Sequence, residues 1–157
     1  MKTNLFRGAT GRVFMLICAM YFIEYVDRVN LSVAAPLLKS ELHLSNTQLG
    51  IALSAFGYCY ATFQIINGYL GDRIGPRRML AISGLLWAIG TLTTGVVGGL
   101  SSLVFARMCV GLGEAGTIPN ATRAMTNWVP VARRGFAQGF THAAARAAAT
   151  ITPPLLV

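Results

Sequence analysis

The stretch Glu24-Tyr25-Val26-Asp27-Arg28-Val29-Asn30 lies near the middle of a run, about residues 13–38, that is otherwise apolar. A run of that length crosses a bilayer, since a transmembrane helix needs roughly 20 apolar residues. Placing Glu24, Asp27 and Arg28 at its centre opposes insertion by about 2.5–3.5 kcal/mol each. Nothing in crossing a membrane requires them. Charges at that depth face a bundle interior or a wet cavity and mark the path of an ion or polar solute. A structural alternative stays open, because Glu24 and Arg28 are spaced i,i+4 in the order that favours a helical ion pair. That alternative leaves Asp27 unexplained.

Composition agrees. Of 157 residues, 54% are hydrophobic and 11% charged, against roughly 25% charged in soluble domains. The net charge of +8 would suit a nucleic-acid partner, but the basic residues lie within hydrophobic spans or in short connections. No nucleic-acid partner is expected. Cys18, Cys59 and Cys109 all fall in hydrophobic segments and read as small buried side chains rather than disulfides or metal ligands. Lys2, Arg7 and Arg12 ahead of an apolar stretch, with Ser32-Val33-Ala34 beyond it, mimic a secretory signal and its cleavage site. The charges at Glu24, Asp27 and Arg28 and the spans that follow favour an uncleaved first helix.

Five hydrophobic segments follow one another, at about 13–38, 47–70, 79–99, 102–125 and 135–157. Ser45-Asn46-Thr47-Gln48 has capping-box spacing and predicts the start of the second helix. In that helix Tyr60, Gln64 and Asn67 are i, i+4, i+7 and share a face, either lining a solute path or hydrogen-bonding a neighbouring helix. The helix is expected to end in Gly68-Tyr69-Leu70-Gly71-Asp72-Arg73-Ile74-Gly75-Pro76-Arg77-Arg78, where glycines allow tight turns and Pro76 stops a helix. Segment 79–99 has no charge and reads as packing.

In the fourth segment Arg107, Gly111 and Glu114 again share a face. Glu114 is a second carboxylate near the centre of a span, and Gly111, Gly113 and Gly116 permit close approach of another helix. Pro119-Asn120 is expected to disturb this helix near its far end. Trp128 reads as an interfacial anchor. The fifth segment carries His142 and Arg146, then Thr152-Pro153-Pro154. His142 fits a helix contact at least as well as a proton relay.

Basic residues set the orientation. Lys2, Arg7 and Arg12 precede the first span; Arg73, Arg77 and Arg78 fill the second loop; Arg133 and Arg134, with Arg123 close by, fill the fourth. The first loop has only Lys39 and the third has none. The positive-inside rule then puts the N-terminus and loops 2 and 4 in the cytoplasm.

Gly68 to Arg78 resembles the cytoplasmic loop motif of the major facilitator superfamily, G-x-L-x-D-R-x-G-x-R-R. Arg107-x-x-x-Gly111-x-Gly113 resembles its helix-4 motif. Tyr25-x-Asp27-Arg28-x-Asn30-Leu31-Ser32-Val33-Ala34 is similar to helix 1 of the anion:cation symporter family. Gly113-Glu114-Ala115, Pro119-Asn120, Trp128-x-Pro130 and Arg146 with Thr152-Pro153-Pro154 fit that family too. The resemblance runs from about Phe14 to the end.

It implies an all-α membrane protein of the plasma (inner) membrane that imports a small organic anion, such as a hexuronate, galactonate or glucarate, together with a proton. Asp27 and Glu114 would be the protonatable carboxylates. Arg28 would engage the substrate carboxylate or couple it to the proton, and Arg107 would modulate Glu114. Tyr60 and Gln64 would sit on the substrate side of helix 2. Gly68, Asp72, Arg73, Gly75, Arg77 and Arg78 would form the gating loop. Neither cofactor nor metal is implied, and no nucleophile, metal cluster or phosphate loop has spacing that suggests an enzyme.

Glu24 departs from the resemblance, standing where an amide is common. Ala143-Ala144-Ala145-Arg146-Ala147-Ala148-Ala149 departs too, with alanines where glycines and serine are frequent. The family has about twelve spans, in two halves each built from inverted three-helix repeats. These five segments are therefore expected to be an incomplete N-terminal half, lacking its C-terminal partner and inactive in transport alone. The competing expectations are a non-transporting membrane protein that acts by association and, less favoured, an efflux antiporter.

Overall fold

The computed structural model describes Phe6 and residues 8–156. Lys2 and Arg7, counted above for orientation, lie outside the described residues. Every regular element among the described residues is helical: α1 (Gly8–Glu41), α2 (Asn46–Ile74), α3 (Pro76–Thr94), α4 (Leu100–Glu114), α5 (Thr117–Trp128) and α6 (Arg134–Leu156), with one 3-10 turn at Val131–Arg133. α1 and α2 are each long and apolar enough to cross a membrane. α3 and α6 have 19 and 23 residues, and α4 with α5 occupies the fourth hydrophobic segment. Large apolar side chains stand uncovered along these helices, among them Leu16, Ile65, Leu92, Phe105 and Leu155. In water such a surface would be an association liability; against lipid it is ordinary.

Local chemistry fixes the helix ends. α1 stops at His43, which takes a positive φ of 50° while the Leu44 amide reaches back to the Lys39 carbonyl at 3.0 Å, a left-handed C-terminal stop. α2 starts on the expected capping box. The Gln48 amide donates to Ser45 Oγ at 3.1 Å, and the Ser45 amide donates to Gln48 Oε1 at 2.8 Å. α3 ends where the hydroxyls of Thr93 and Thr94 both bond the Gly90 carbonyl, ahead of Gly95, Gly98 and Gly99. Arg134 closes α5, donating to the carbonyls of Thr126 at 2.7 Å and Val129 at 3.2 Å. It serves a helix end more than a loop.

Two boundaries differ from those the sequence predicts. α2 continues through Gly68 and Gly71 to Ile74, so Asp72 and Arg73 are helical rather than in a loop. Only Gly75, with φ of 91°, makes the turn, and Pro76 opens α3 at its first position, where a missing N–H costs nothing. The fourth segment breaks at Ala115 and Gly116, a turn before the expected disturbance. Pro119 has no N–H for the carbonyl four residues back, and its ring crowds that carbonyl; the residue four back is Ala115.

The chain forms two compact units. One is Ala34–Asn120, in which α4 packs on both α2 and α3. Glycines make this close packing possible. A Cβ at Gly111 would strike the Phe56 carbonyl, one at Gly113 the Trp87 backbone, and one at Gly90 the Val110 backbone. Small residues at such contacts are how membrane helices gain van der Waals area. The other unit joins α1 through Val33 to the chain from Ala121 onward. Phe6, Phe14 and Phe140 stack edge-on or tilted there.

Candidate functional site

Each unit carries a polar cluster at the depth of its spans. In the first-helix unit, Arg28 Nη2 donates to Glu24 Oε1 at 2.6 Å. This is the i,i+4 pair the spacing allows, so Glu24 has a structural job: it holds Arg28. The carboxylate is 1% exposed. A charge-assisted bond this short offsets part of the cost of bringing both charges out of water. The Arg28 guanidinium also lies 5.3 Å from the centre of the Tyr25 ring. Asp27 is half-buried in the same turn. From α6, Arg146 lies 5.8 Å from the Tyr25 ring centre, and His142 meets Tyr21 edge-on at 5.6 Å. His142 is thereby an aromatic helix contact, the simpler of its two readings.

The second cluster lies on α2 and α4. Arg107 is buried with its guanidinium 4.7 Å from the Phe56 ring centre. Phe56 stacks on Tyr60 at 5.7 Å, and Gln64 Nε2 donates to Tyr60 Oη at 3.2 Å. Arg107, Tyr60 and Gln64 are thus brought into one chain of contacts. Phe56, which sequence reasoning missed, is the link. Its signal was available, because Phe56, Tyr60 and Gln64 continue one i,i+4 series. Glu114 is fully buried at the last turn of α4, directly before the break at Ala115 and Gly116.

Asn67 does not join this chain. Its amide donates to the Leu112 carbonyl at 3.0 Å, while the Asn120 amide donates to the Asn67 carbonyl at 3.1 Å and the Gly116 carbonyl at 2.8 Å. Of the two readings open for Asn67, the structure has the helix contact. Two asparagines bolt α2 to the broken α4–α5 segment, and Asn120 fits because Gly71 lacks a side chain.

The residues from Gly68 to Arg78 are divided between elements. Gly68 packs on Pro119. Asp72 and Arg73 are exposed in the last turn of α2, with Arg73 over its own Tyr69 ring at 4.6 Å. Arg77 and Arg78 are exposed in the first turn of α3, where cations oppose the helix dipole. Helix stability therefore does not account for them.

A Glu24–Arg28 ion pair within the long apolar α1, glycine-packed helix faces and a basic turn between α2 and α3 define a helical membrane protein. Residues 17–156 match the Major Facilitator Superfamily. The chain belongs to that superfamily, whose members are transporters and not enzymes. Among its relatives, the probable sulfoacetate transporter SauU of Cupriavidus necator is 50% identical over 142 residues, 90% of this chain and 33% of the relative. The probable L-galactonate transporter of Escherichia coli K12 is 34% identical over 99% of this chain and 34% of the relative. The probable galactarate/D-glucarate transporter GudP of Bacillus subtilis is 36% identical over 92% of this chain and 33% of its own length. The chain thus spans about a third of each relative. In fold it is similar to a bacterial homologue of the lysosomal transporter Spinster in an inward-facing, unoccupied conformation. That likeness has a TM-score of 0.80 and 24% identity, covering 87% of this chain and 29% of that one.

Proposed function

We propose that this chain is the N-terminal part of a proton-coupled symporter of the anion:cation symporter type, carrying a small organic anion across the plasma (inner) membrane with its N-terminus in the cytoplasm. The observation that carries the reading is the buried Glu24 and Arg28 pair beside Asp27. A guanidinium paired with a carboxylate at membrane depth can exchange that partner for the carboxylate or sulfonate of a solute, because its planar fork suits both. The relatives named for sulfoacetate, galactonate and glucarate support an acidic substrate.

Proton coupling follows from charge balance. Burial disfavours an ionised carboxylate and a neighbouring guanidinium favours it. An anion that occupies Arg28 loosens the guanidinium's hold on nearby carboxylates and makes proton uptake easier, so solute and proton load together. Asp27 and Glu114 are the two carriers in this scheme, Arg107 tunes the Glu114 region, and Tyr60 and Gln64 offer hydroxyl and amide contacts to the solute. Asp72, Arg73, Arg77 and Arg78 brace one alternating-access state, with Gly68 and Gly75 shaping the turn. Substrate sites of this superfamily lie at the interface of its repeats near the midplane, so a C-terminal half is the required partner, and residues 1–157 alone do not transport.

The test is uptake of labelled sulfoacetate and galactonate by vesicles containing the product of the complete reading frame, with an inward proton gradient. Accumulation that a protonophore abolishes is expected. Uptake indifferent to the proton gradient would overturn the coupling, and no uptake of any organic acid would overturn the function.

A further inference from the structure

The starting ends of α1 and α6 lie together in one compact unit. The ring centres of Phe14 and Phe140 are 5.6 Å apart, and Phe6 stands 5.7 Å from Phe14 and 6.0 Å from Phe140. Phe136 extends the row, 6.0 Å from Phe140. Phe14 and Phe140 each come six residues after the first residue of their helix, about 9 Å along it. Phe14 is covered, but Phe6, Phe136 and Phe140 are 52%, 58% and 40% exposed. Arg12 and Arg133 are also exposed, nearer the helix starts. Among the described residues neither forms an ion pair, whereas the neighbouring Arg134 is occupied by the carbonyls of Thr126 and Val129. Residues 1–23 and 121–157 contain no aspartate or glutamate. The acidic residues of this unit are Glu24 and Asp27, the nearer of them about 18 Å along α1 from Arg12. This end of the unit is therefore basic outermost, aromatic just beneath, and without a carboxylate of its own.

We propose that this end of the unit is a binding site for an anionic phospholipid. Arg12 and Arg133 take the headgroup phosphate, and an acyl chain lies over Phe6, Phe136 and Phe140. The order of the layers is that of a lipid, with its charge outermost and its hydrocarbon beneath. Trp128, 47% exposed just ahead of the turn that carries Arg133, stands where an amphipathic ring marks the boundary between the two. Arginine forks suit phosphate oxygens, and basic residues beside a span are drawn to an anionic leaflet. Free phosphate would answer the arginines alone, and a zwitterionic lipid the rings alone. An anionic phospholipid answers both. The site depends on the chain lying in a membrane, and on neither the solute nor the proton coupling proposed above.

The experiment titrates the product of the complete reading frame, in detergent, with phosphatidylglycerol and with phosphatidylcholine of the same acyl chains, counting bound lipid by native mass spectrometry. Wild type should hold phosphatidylglycerol about tenfold more tightly, the scale expected for two arginines facing an anionic headgroup. Arg12→Gln combined with Arg133→Gln should reduce phosphatidylglycerol binding to the level of phosphatidylcholine. Arg77→Gln combined with Arg78→Gln removes the same charge from the other unit and should leave most of the preference. Phe136→Ala should weaken both lipids alike. A wild type that binds the two lipids equally, as it would if the rest of the protein covered this face, would overturn the site without need of any variant. Equal loss of preference in the two double variants would also overturn it, reducing the effect to total charge. Displacement of phosphatidylglycerol by an equal concentration of inorganic phosphate would make this a site for a free anion and overturn the lipid as its occupant.

Discussion

Asn120 shows how much a single side chain holds in this molecule. Its amide serves two carbonyls, those of Asn67 and Gly116, while Asn67 serves the Leu112 carbonyl. Replacing Asn120 with leucine removes both donors and puts a bulkier branched side chain against Gly71. Unpaired buried carbonyls cost about 1–3 kcal/mol, so Asn120→Leu should lower stability by about 2 kcal/mol in a detergent unfolding titration. An unchanged midpoint would show that the amide is not holding the helices. At this scale the sequence was legible wherever a partner lay on the same helix. Glu24 and Arg28, Tyr60 and Gln64, and the Ser45 capping box all follow from helical spacing. Asn67 was not settled, because its partners are backbone groups of α4 and of Asn120, brought near only by tertiary packing. Phe56 was missed although it precedes Tyr60 and Gln64 in one i,i+4 series, because an apolar ring does not stand out among the polar members of that face.

At the scale of the helices, glycines were easier to find than to interpret. Gly111, Gly113 and Gly116 were expected to admit a neighbouring helix and do so, since each lies too close to α2 or α3 for a Cβ. Gly68 and Gly71 were expected to belong to a turn and instead lie inside α2, packed against Pro119 and Asn120. A glycine freed from turning and a glycine needed for close approach look alike in sequence. Substitution separates them. Gly71→Ala should destabilise by about 1–3 kcal/mol as an overpacked contact. Gly50→Ala, where a Cβ meets nothing within 4 Å, should be neutral or stabilising by up to about 1 kcal/mol. Gly75→Ala forces an L side chain to a φ of 91° and should cost about 1–2 kcal/mol. Equal effects at the three positions, by the same unfolding titration, would contradict this division of roles. The break between α4 and α5 was placed too late, because a proline acts on the carbonyl a turn before it.

Over the whole chain, the hydrophobic segments and the charges inside them led to a helical membrane protein, and the resemblance of Gly68 to Arg78 and of Arg107 to Gly113 to known motifs led to the superfamily. Among the described residues, α1 and α2 are the helices long and apolar enough to cross a membrane. α3 is bounded by the Pro76 turn and the Gly95 to Gly99 region, and the fourth segment is interrupted by the Pro119 break, each with a local cause. The nature of the solute is less legible, since a guanidinium recognises an acidic group without naming the rest of the molecule.

The central claim is that acidic side chains inside these helices carry protons with an organic anion. Its most direct measurement is proton-driven uptake by the complete reading-frame product with Asp27→Asn or Glu114→Gln, alongside wild type at equal membrane abundance. Each amide keeps shape and removes the titrating group. Accumulation driven by the proton gradient should be abolished in both. Full gradient-driven uptake by either variant would contradict it.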